Sequence, residues 1–148
     1  MPRRFPHVYR GRCFCGSIRV SFEAHTPPRA TPLRSCTCTF CLKHGARNTS
    51  DPEGRARLEI RRPGRLSRFD FRPQTGGRLL CGFCGAYVAT ARCIGGRWLA
   101  TINVNALDRT QEFTQRPRLM DYSGESAAET RARRAAKWTP AEIVLRKR

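Results

Sequence analysis

Cys13-Phe14-Cys15-Gly16-Ser17-Ile18-Arg19-Val20-Ser21-Phe22-Glu23 sets two cysteines on a tight turn and then alternates apolar with polar residues. That alternation is the period of a half-buried strand. A second stretch has the same form: Cys81-Gly82-Phe83-Cys84-Gly85 leads into Ala86-Tyr87-Val88-Ala89. A glycine directly after the second cysteine of each pair can take φ > 0, which folds the backbone so that N–H groups point at the sulfurs. Two such knuckles, each feeding a strand, can meet across a sheet and assemble Cys13, Cys15, Cys81 and Cys84 into one site. Zinc takes four thiolates at about 2.3 Å in a tetrahedron, and a closed shell of that kind is structural. Its task would be to tie the first strand to the later hairpin in a domain with a small core.

The rest of the chain follows the same short-strand pattern. Thr26-Pro27-Pro28 ends the first strand, and the stretch through Pro32 reads as loop or short extended edge. Asp51-Pro52-Glu53-Gly54 is a turn. Leu58 and Ile60, then Leu66, Phe69 and Phe71, lie on two alternating runs split by Pro63-Gly64, the pattern of a hairpin. After a turn at Gly76-Gly77, Leu79-Leu80 enters the second knuckle. Gly95-Gly96 joins the strand that leaves it to Arg97-Trp98-Leu99-Ala100-Thr101-Ile102-Asn103-Val104-Asn105, the longest strand candidate. Helical signals are confined to the end: Ser126-Ala127-Ala128-Glu129 has the form of a capping box, Glu129 and Arg133 are spaced i,i+4, and Pro140 stops the run after Trp138.

Between these knuckles lies Cys36-Thr37-Cys38-Thr39-Phe40-Cys41, three cysteines within six residues. Three ligands from one loop can face a single metal and leave its fourth position open to water or a substrate thiol, the signature of a catalytic zinc. His44 could instead close the shell, or be an ordinary loop residue. Cys93 has no partner at ligand spacing; it reads as a small buried hydrophobe on a strand, or as a free thiol near the open metal. Cys81-Gly82-Phe83-Cys84 is also a C-x-x-C, but a thioredoxin-like redox site needs that motif at a helix start, and here a strand follows.

The 148 residues set one domain as the default. No stretch approaches the roughly 18 apolar residues of a membrane span, and Met1-Pro2-Arg3-Arg4-Phe5-Pro6 has no apolar run behind its charges. The expectation is a soluble, cytoplasmic protein whose eight cysteines serve metals rather than disulfides. Lys plus Arg number 29 against 11 Asp plus Glu, a net charge of +18. These basic residues are spread evenly along the chain, unlike the cluster or stripe of a dedicated nucleic-acid surface, so a solvated arginine background that assists anionic ligands is the favoured reading.

Gly11-Arg12-Cys13-Phe14-Cys15-Gly16, the Cys36 to Cys41 cluster with Gly45 shortly after, Cys81-Gly82-Phe83-Cys84-Gly85 and Asn103-Val104-Asn105-Ala106-Leu107-Asp108 together resemble the glutathione-dependent formaldehyde-activating enzyme and centromere protein V family. The resemblance covers about residues 10–109. It implies a mainly β, β-tent zinc-binding fold of short antiparallel strands with a C-terminal helix, a structural zinc on Cys13, Cys15, Cys81 and Cys84, and a second zinc on Cys36, Cys38 and Cys41. It further implies a carbon–sulfur lyase-type activity in which a thiol such as glutathione meets an aldehyde to give an S-hydroxymethyl adduct, with Cys36, Cys38 and Cys41 as the catalytic metal site. The division expected is an N-terminal arm (1–9), the zinc-binding domain (10–109) and a C-terminal extension with a basic helix (110–148). Past Asp108 the chain departs from the family pattern: Met120-Asp121-Tyr122-Ser123-Gly124 is interrupted and the next tryptophan is Trp138. A zinc-stabilised nucleic-acid-binding or structural module without catalysis is the alternative.

Overall fold

Residues 5–67 and 70–146 are described by a computed structural model of the chain. Among them lie ten strands and two α-helices. The strands are β1 (His7–Arg12), β2 (Ile18–Ala24), β3 (Arg34–Cys36), β4 (Asn48–Thr49), β5 (Arg55–Ile60), β6 (Gly76–Leu80), β7 (Tyr87–Ile94), β8 (Arg97–Asn103), β9 (Arg118–Met120) and β10 (Thr139–Leu145). The helices are α1 (Thr39–His44) and α2 (Ala127–Lys137). The protein is mainly β. No helix among the described residues is long and apolar enough to cross a membrane.

Hydrogen bonding runs in the order β1-β2-β5-β10-β8-β4-β3-β9, with β7 also on β8 and β6 on β7. Most pairings are antiparallel, as short strands on tight turns require. Two are parallel: β10 on β5, with Ile143 opposite Leu58, and β3 on β9, with Ser35 opposite Leu119. β10 joins the two halves of the sheet, because its first residues, Thr139 and Pro140, pair with Ala100 and Leu99 of β8. The inward positions of these strands, among them Tyr9, Phe22, Ile18, Leu58, Ile60, Leu79, Val88 and Ile102, are buried in one core that also holds Cys13 and Cys81. Burying apolar side chains of this size contributes about 1.5–3 kcal/mol each.

Several expectations change. The hairpin across Pro63-Gly64 does not form: Pro63–Arg65 is a turn of 3-10 helix, Leu66 makes a lone bridge to Cys81, and both edges of β5 are taken by β2 and β10. Phe69 lies outside the described residues. The longest strand is the eight-residue β7, because the Asn103 side chain accepts the Asn105 N–H at 3.3 Å and turns Val104–Ala106 into 3-10 helix. The capping box on Ser126 forms, with Glu129 N–H to Ser126 Oγ at 3.1 Å and Ser126 N–H to Glu129 Oε1 at 3.2 Å. Since Glu129 is occupied there, Arg133 grips Glu125 instead, at 2.9–3.1 Å. Pro140 ends no more than the helix, for the chain runs on into β10.

Candidate functional site

The two knuckles meet as the sequence requires. The sulfurs of Cys13, Cys15, Cys81 and Cys84 all lie within 4.8 Å of one another. Both turns are built alike: Gly16 and Gly85 each have φ of 80°, the Cys13 N–H donates to Ile18 O at 2.9 Å, and the Cys81 N–H donates to Ala86 O at 3.0 Å. Backbone N–H groups also reach the sulfurs, from Ile18 to Cys13 at 3.3 Å and from Cys84 to Cys81 at 3.4 Å. Four thiolates at about 2.3 Å from a tetrahedral centre stand about 3.8 Å apart. The Cys13–Cys15 and Cys15–Cys81 separations are 3.7 and 3.6 Å, so the donor set fits such an ion. Without a cation the sulfurs cannot ionise together. Burial pushes the Cys13 thiol up to about 12, while the Ser17 hydroxyl brings Cys15 down to about 6.

A second group of three sulfurs, also within 4.8 Å of one another, comes from Cys36 at the end of β3, Cys38 at the N-cap of α1 and Cys41 inside α1. The helix explains the spacing. Cys38 accepts the Cys41 N–H at 3.4 Å, Cys36 accepts the Cys38 N–H at 3.4 Å, and Gly45, with φ of 57°, closes the last turn. Cys41 is buried and receives Asn48 Nδ2 at 3.8 Å, whereas Cys38 is exposed. Burial pushes Cys41 up to about 12. Burial also opposes ionisation of Cys38, but the Cys41 amide, the neighbouring sulfurs and the Arg78 charge outweigh it and bring that thiol below its ordinary value. Three sulfurs within reach of one ion, one of them exposed, suit a cation that still has a free coordination position.

The helix α1 is held from behind. Asn105 Nδ2 donates to Gly45 O at 2.8 Å, and Asn105 Oδ1 accepts Arg47 Nε at 2.6 Å. Asn103 Nδ2 donates to Tyr87 O at 2.9 Å. The Asn103-Val104-Asn105 run thus pins the metal-candidate helix to β7 and to the loop leading into β4. Phe40 packs edge-on against Tyr87, at 5.0 Å between centroids, and Arg78 lies 4.3 Å above its ring.

A cavity of about 130 Å³ opens onto the three sulfurs, and its wall includes Arg34, Arg78, Arg92, Arg133 and Arg134. Tyr122 and Trp138 complete it, so the departures from the family pattern after Asp108 supply a wall of their own. A wider opening of about 400 Å³ continues outward past Thr37, Tyr122 and Ser123. A further depression of about 660 Å³ on the face of β1, β2 and β5 has no cysteine in its lining.

His44 is not drawn into the second cluster. Its ring stacks on Phe40 at 4.1 Å and its Nδ1 meets Phe40 O at 2.8 Å. Cys93 sits half-buried on β7 opposite Trp98, outside both sulfur groups. The arginines of the cavity come from β3, β6, β7 and α2, and no local pattern links them; the one available signal is Arg34, two residues before Cys36 and so on the same face of β3.

The chain is mainly β and brings together two thiol groups, one of four sulfurs and one of three, each of which could hold a metal ion. The family model of the glutathione-dependent formaldehyde-activating enzyme matches residues 8–123, and the chain belongs to that family. A crystal structure of a Rhodobacter sphaeroides protein, a structural-genomics target, is similar to it with a TM-score of 0.50 and 23% identity, covering 75% of this chain and 99% of that one. That likeness shows the fold. No curated protein matches the sequence.

Proposed function

We propose that this chain is an enzyme of the carbon–sulfur lyase type that joins the thiol of a glutathione-like cosubstrate to an aldehyde. Cys13, Cys15, Cys81 and Cys84 serve as ligands of a structural zinc, and Cys36, Cys38 and Cys41 as ligands of a catalytic one. The observation that carries the reading is the inequality of the two clusters: four sulfurs close one, while three sulfurs leave the other facing a cavity. Family membership supports the choice of thiol and aldehyde.

In the reaction a carbon–sulfur bond forms between the thiol sulfur and the carbonyl carbon, the C=O π pair moves to oxygen, and the thiol proton ends on that oxygen as a hydroxyl. Zinc bound at the three cysteines would lower the pKa of an incoming thiol and keep it ionised at neutral pH. The protein's part is to position and to balance charge. Arg78, held by Asp70 at 3.3 Å, keeps positive charge beside Cys38. Arg78, Arg133 and Arg134 stand at both the inner cavity and the wider opening, and Arg78 and Arg133 can pair there with the carboxylates of a small anionic cosubstrate. Arg133 is preset for this by Glu125 and by stacking on Tyr122 at 3.6 Å.

Cys38→Ser tests the assignment. Turnover of glutathione plus formaldehyde should fall to the uncatalysed rate while the far-ultraviolet dichroism and the melting temperature stay near those of the wild type, because Cys38 is exposed and lies outside the core. An unaltered rate would remove the catalytic role from this cluster.

A further inference from the structure

The cavity beside the open cluster carries more charge than a neutral aldehyde needs. Its lining holds five arginines and no carboxylate. Around it, Asp70 pairs with Arg78 at 3.3 Å and Arg92 at 3.8 Å, and Glu125 pairs with Arg133 at 2.9 Å. Arg34 is half-buried, and its hydrogen-bond partners among the described residues are neutral, Ser50 Oγ at 2.7 Å and Thr101 Oγ1 at 3.4 Å. Arg134 lies over the Trp138 ring at 5.0 Å. The Nε–H groups of Arg92 and Arg134 are buried with no acceptor among the described residues. A buried N–H without a partner costs about 1–3 kcal/mol, more on a charged group, and in a native structure it marks a place where an acceptor belongs. The sulfurs do not answer for the whole surplus: three thiolates and an ionised cosubstrate thiol around a divalent cation leave two net negative charges, against three arginine charges that the two carboxylates do not cover.

We propose that the aldehyde taken by this site carries a carboxylate next to its carbonyl, and that Arg34, Arg92 and Arg134 hold that carboxylate in the cavity they share with Cys36, Cys38 and Cys41. The inference rests on the thiol–aldehyde reading above and narrows its substrate class. Size selects the aldehyde over the thiol as the owner of the carboxylate. The inner cavity is about 130 Å³, against about 400 Å³ for the outer opening. In glutathione the carboxylates stand several bonds from the sulfur, whereas the substituent of the aldehyde is one bond from the carbon that the sulfur attacks. With the thiol at the cluster, the aldehyde's own substituent falls in the small cavity and the cosubstrate's carboxylates fall outside it. Addition proceeds as before: the carbon–sulfur bond forms, the thiol proton goes to the former carbonyl oxygen, and the carboxylate is unchanged.

The test compares glyoxylate with formaldehyde, each with glutathione, on the metal-loaded protein, and measures glycolate binding by calorimetry as a readout free of turnover. Loss of one charge-assisted contact is worth about tenfold. Glyoxylate should exceed formaldehyde in kcat/KM by about tenfold or more, glycolate but not glycolamide should bind, and both differences should shrink about tenfold in Arg34→Gln. Arg134→Gln, on the surface helix α2, gives the same readout should the Arg34 variant fail to fold. Formaldehyde turnover with no glyoxylate preference and no glycolate binding overturns the inference and leaves the proposed function standing. A variant that weakens glutathione while the glyoxylate-to-formaldehyde ratio holds assigns the arginines to the cosubstrate and likewise overturns it. Glycolate binding without turnover of either aldehyde overturns the proposed function, and with it the role of the carboxylate as a substrate group.

Discussion

Asn105 shows how a single side chain far from the cysteines in sequence governs their placement. It bonds Gly45 O at 2.8 Å and Arg47 Nε at 2.6 Å, at the C-terminal end of the helix that presents Cys38 and Cys41. Asn105→Ala removes both bonds, so chemical denaturation should show a loss of about 1–2 kcal/mol. Asp51 works in the same way at the other side of the sheet: its carboxylate accepts the His25 and Glu53 N–H groups at 3.0 and 2.9 Å and meets His25 Nδ1 at 2.8 Å. Burial alone would raise its pKa, but the His25 side chain and these amides outweigh burial and hold it below the ordinary carboxylate value. A depressed carboxylate stabilises the fold above its unfolded pKa and loses that contribution as pH falls through the folded value. Asp51→Asn should therefore melt below the wild type at neutral pH, by an amount equivalent to about 1 kcal/mol, and the gap should close under strongly acidic conditions. A gap independent of pH would show that shape, and not charge, sets the role of Asp51.

At the scale of elements, β1 edges the sheet and β10 joins its two halves, and both escape a reading by pattern. β1 turns only Tyr9 and Gly11 inward, which leaves no apolar alternation to detect, and Gly11 is there because a Cβ would stand 2.1 Å from Ala106 O and 2.7 Å from Leu107 Cα. Gly11→Ala should cost about 3 kcal/mol through forced separation of β1 from the turn after β8, as followed by thermal melting, whereas Gly124→Ala, with open space around it, should be nearly neutral. β10 begins at a proline-containing step that reads as a stop signal, yet Pro140 pairs only at its junction with β8, and Ile143 and Val144 carry the strand on beside β5. The six-residue helix α1 is too short for a helical period to register. What could be read from sequence was local: the knuckle glycines, the capping box at Ser126 and the ligand spacing of seven cysteines each depend on a few adjacent residues. The arginine wall could not be read, because it gathers Arg34, Arg78, Arg92, Arg133 and Arg134 from four elements out of an evenly basic chain.

For the whole molecule, folding sorts an even charge into places with different tasks. On the outer face of β1, β2 and β5, Arg10, Arg12, Arg19 and Arg57 stand among Glu59 and Asp108, and Glu59 is shared by Arg57, Arg61 and Arg146 at 3.7, 3.7 and 2.7 Å. Around the open sulfur cluster the arginines exceed the carboxylates, and there the surplus faces a cavity. The same sorting applies to the cysteines: four converge where the two knuckles join β1 to β6 and β7, three converge at α1, and Cys93 stays apart. The central claim is that these are two separate metal sites, one holding the fold together and one facing substrate. Metal content per chain, measured on the purified wild type and on Cys38→Ser, tests it most directly. Two zinc ions in the wild type and one in the folded variant are the expected result; a folded wild type free of metal, or a variant that still holds two, would contradict it.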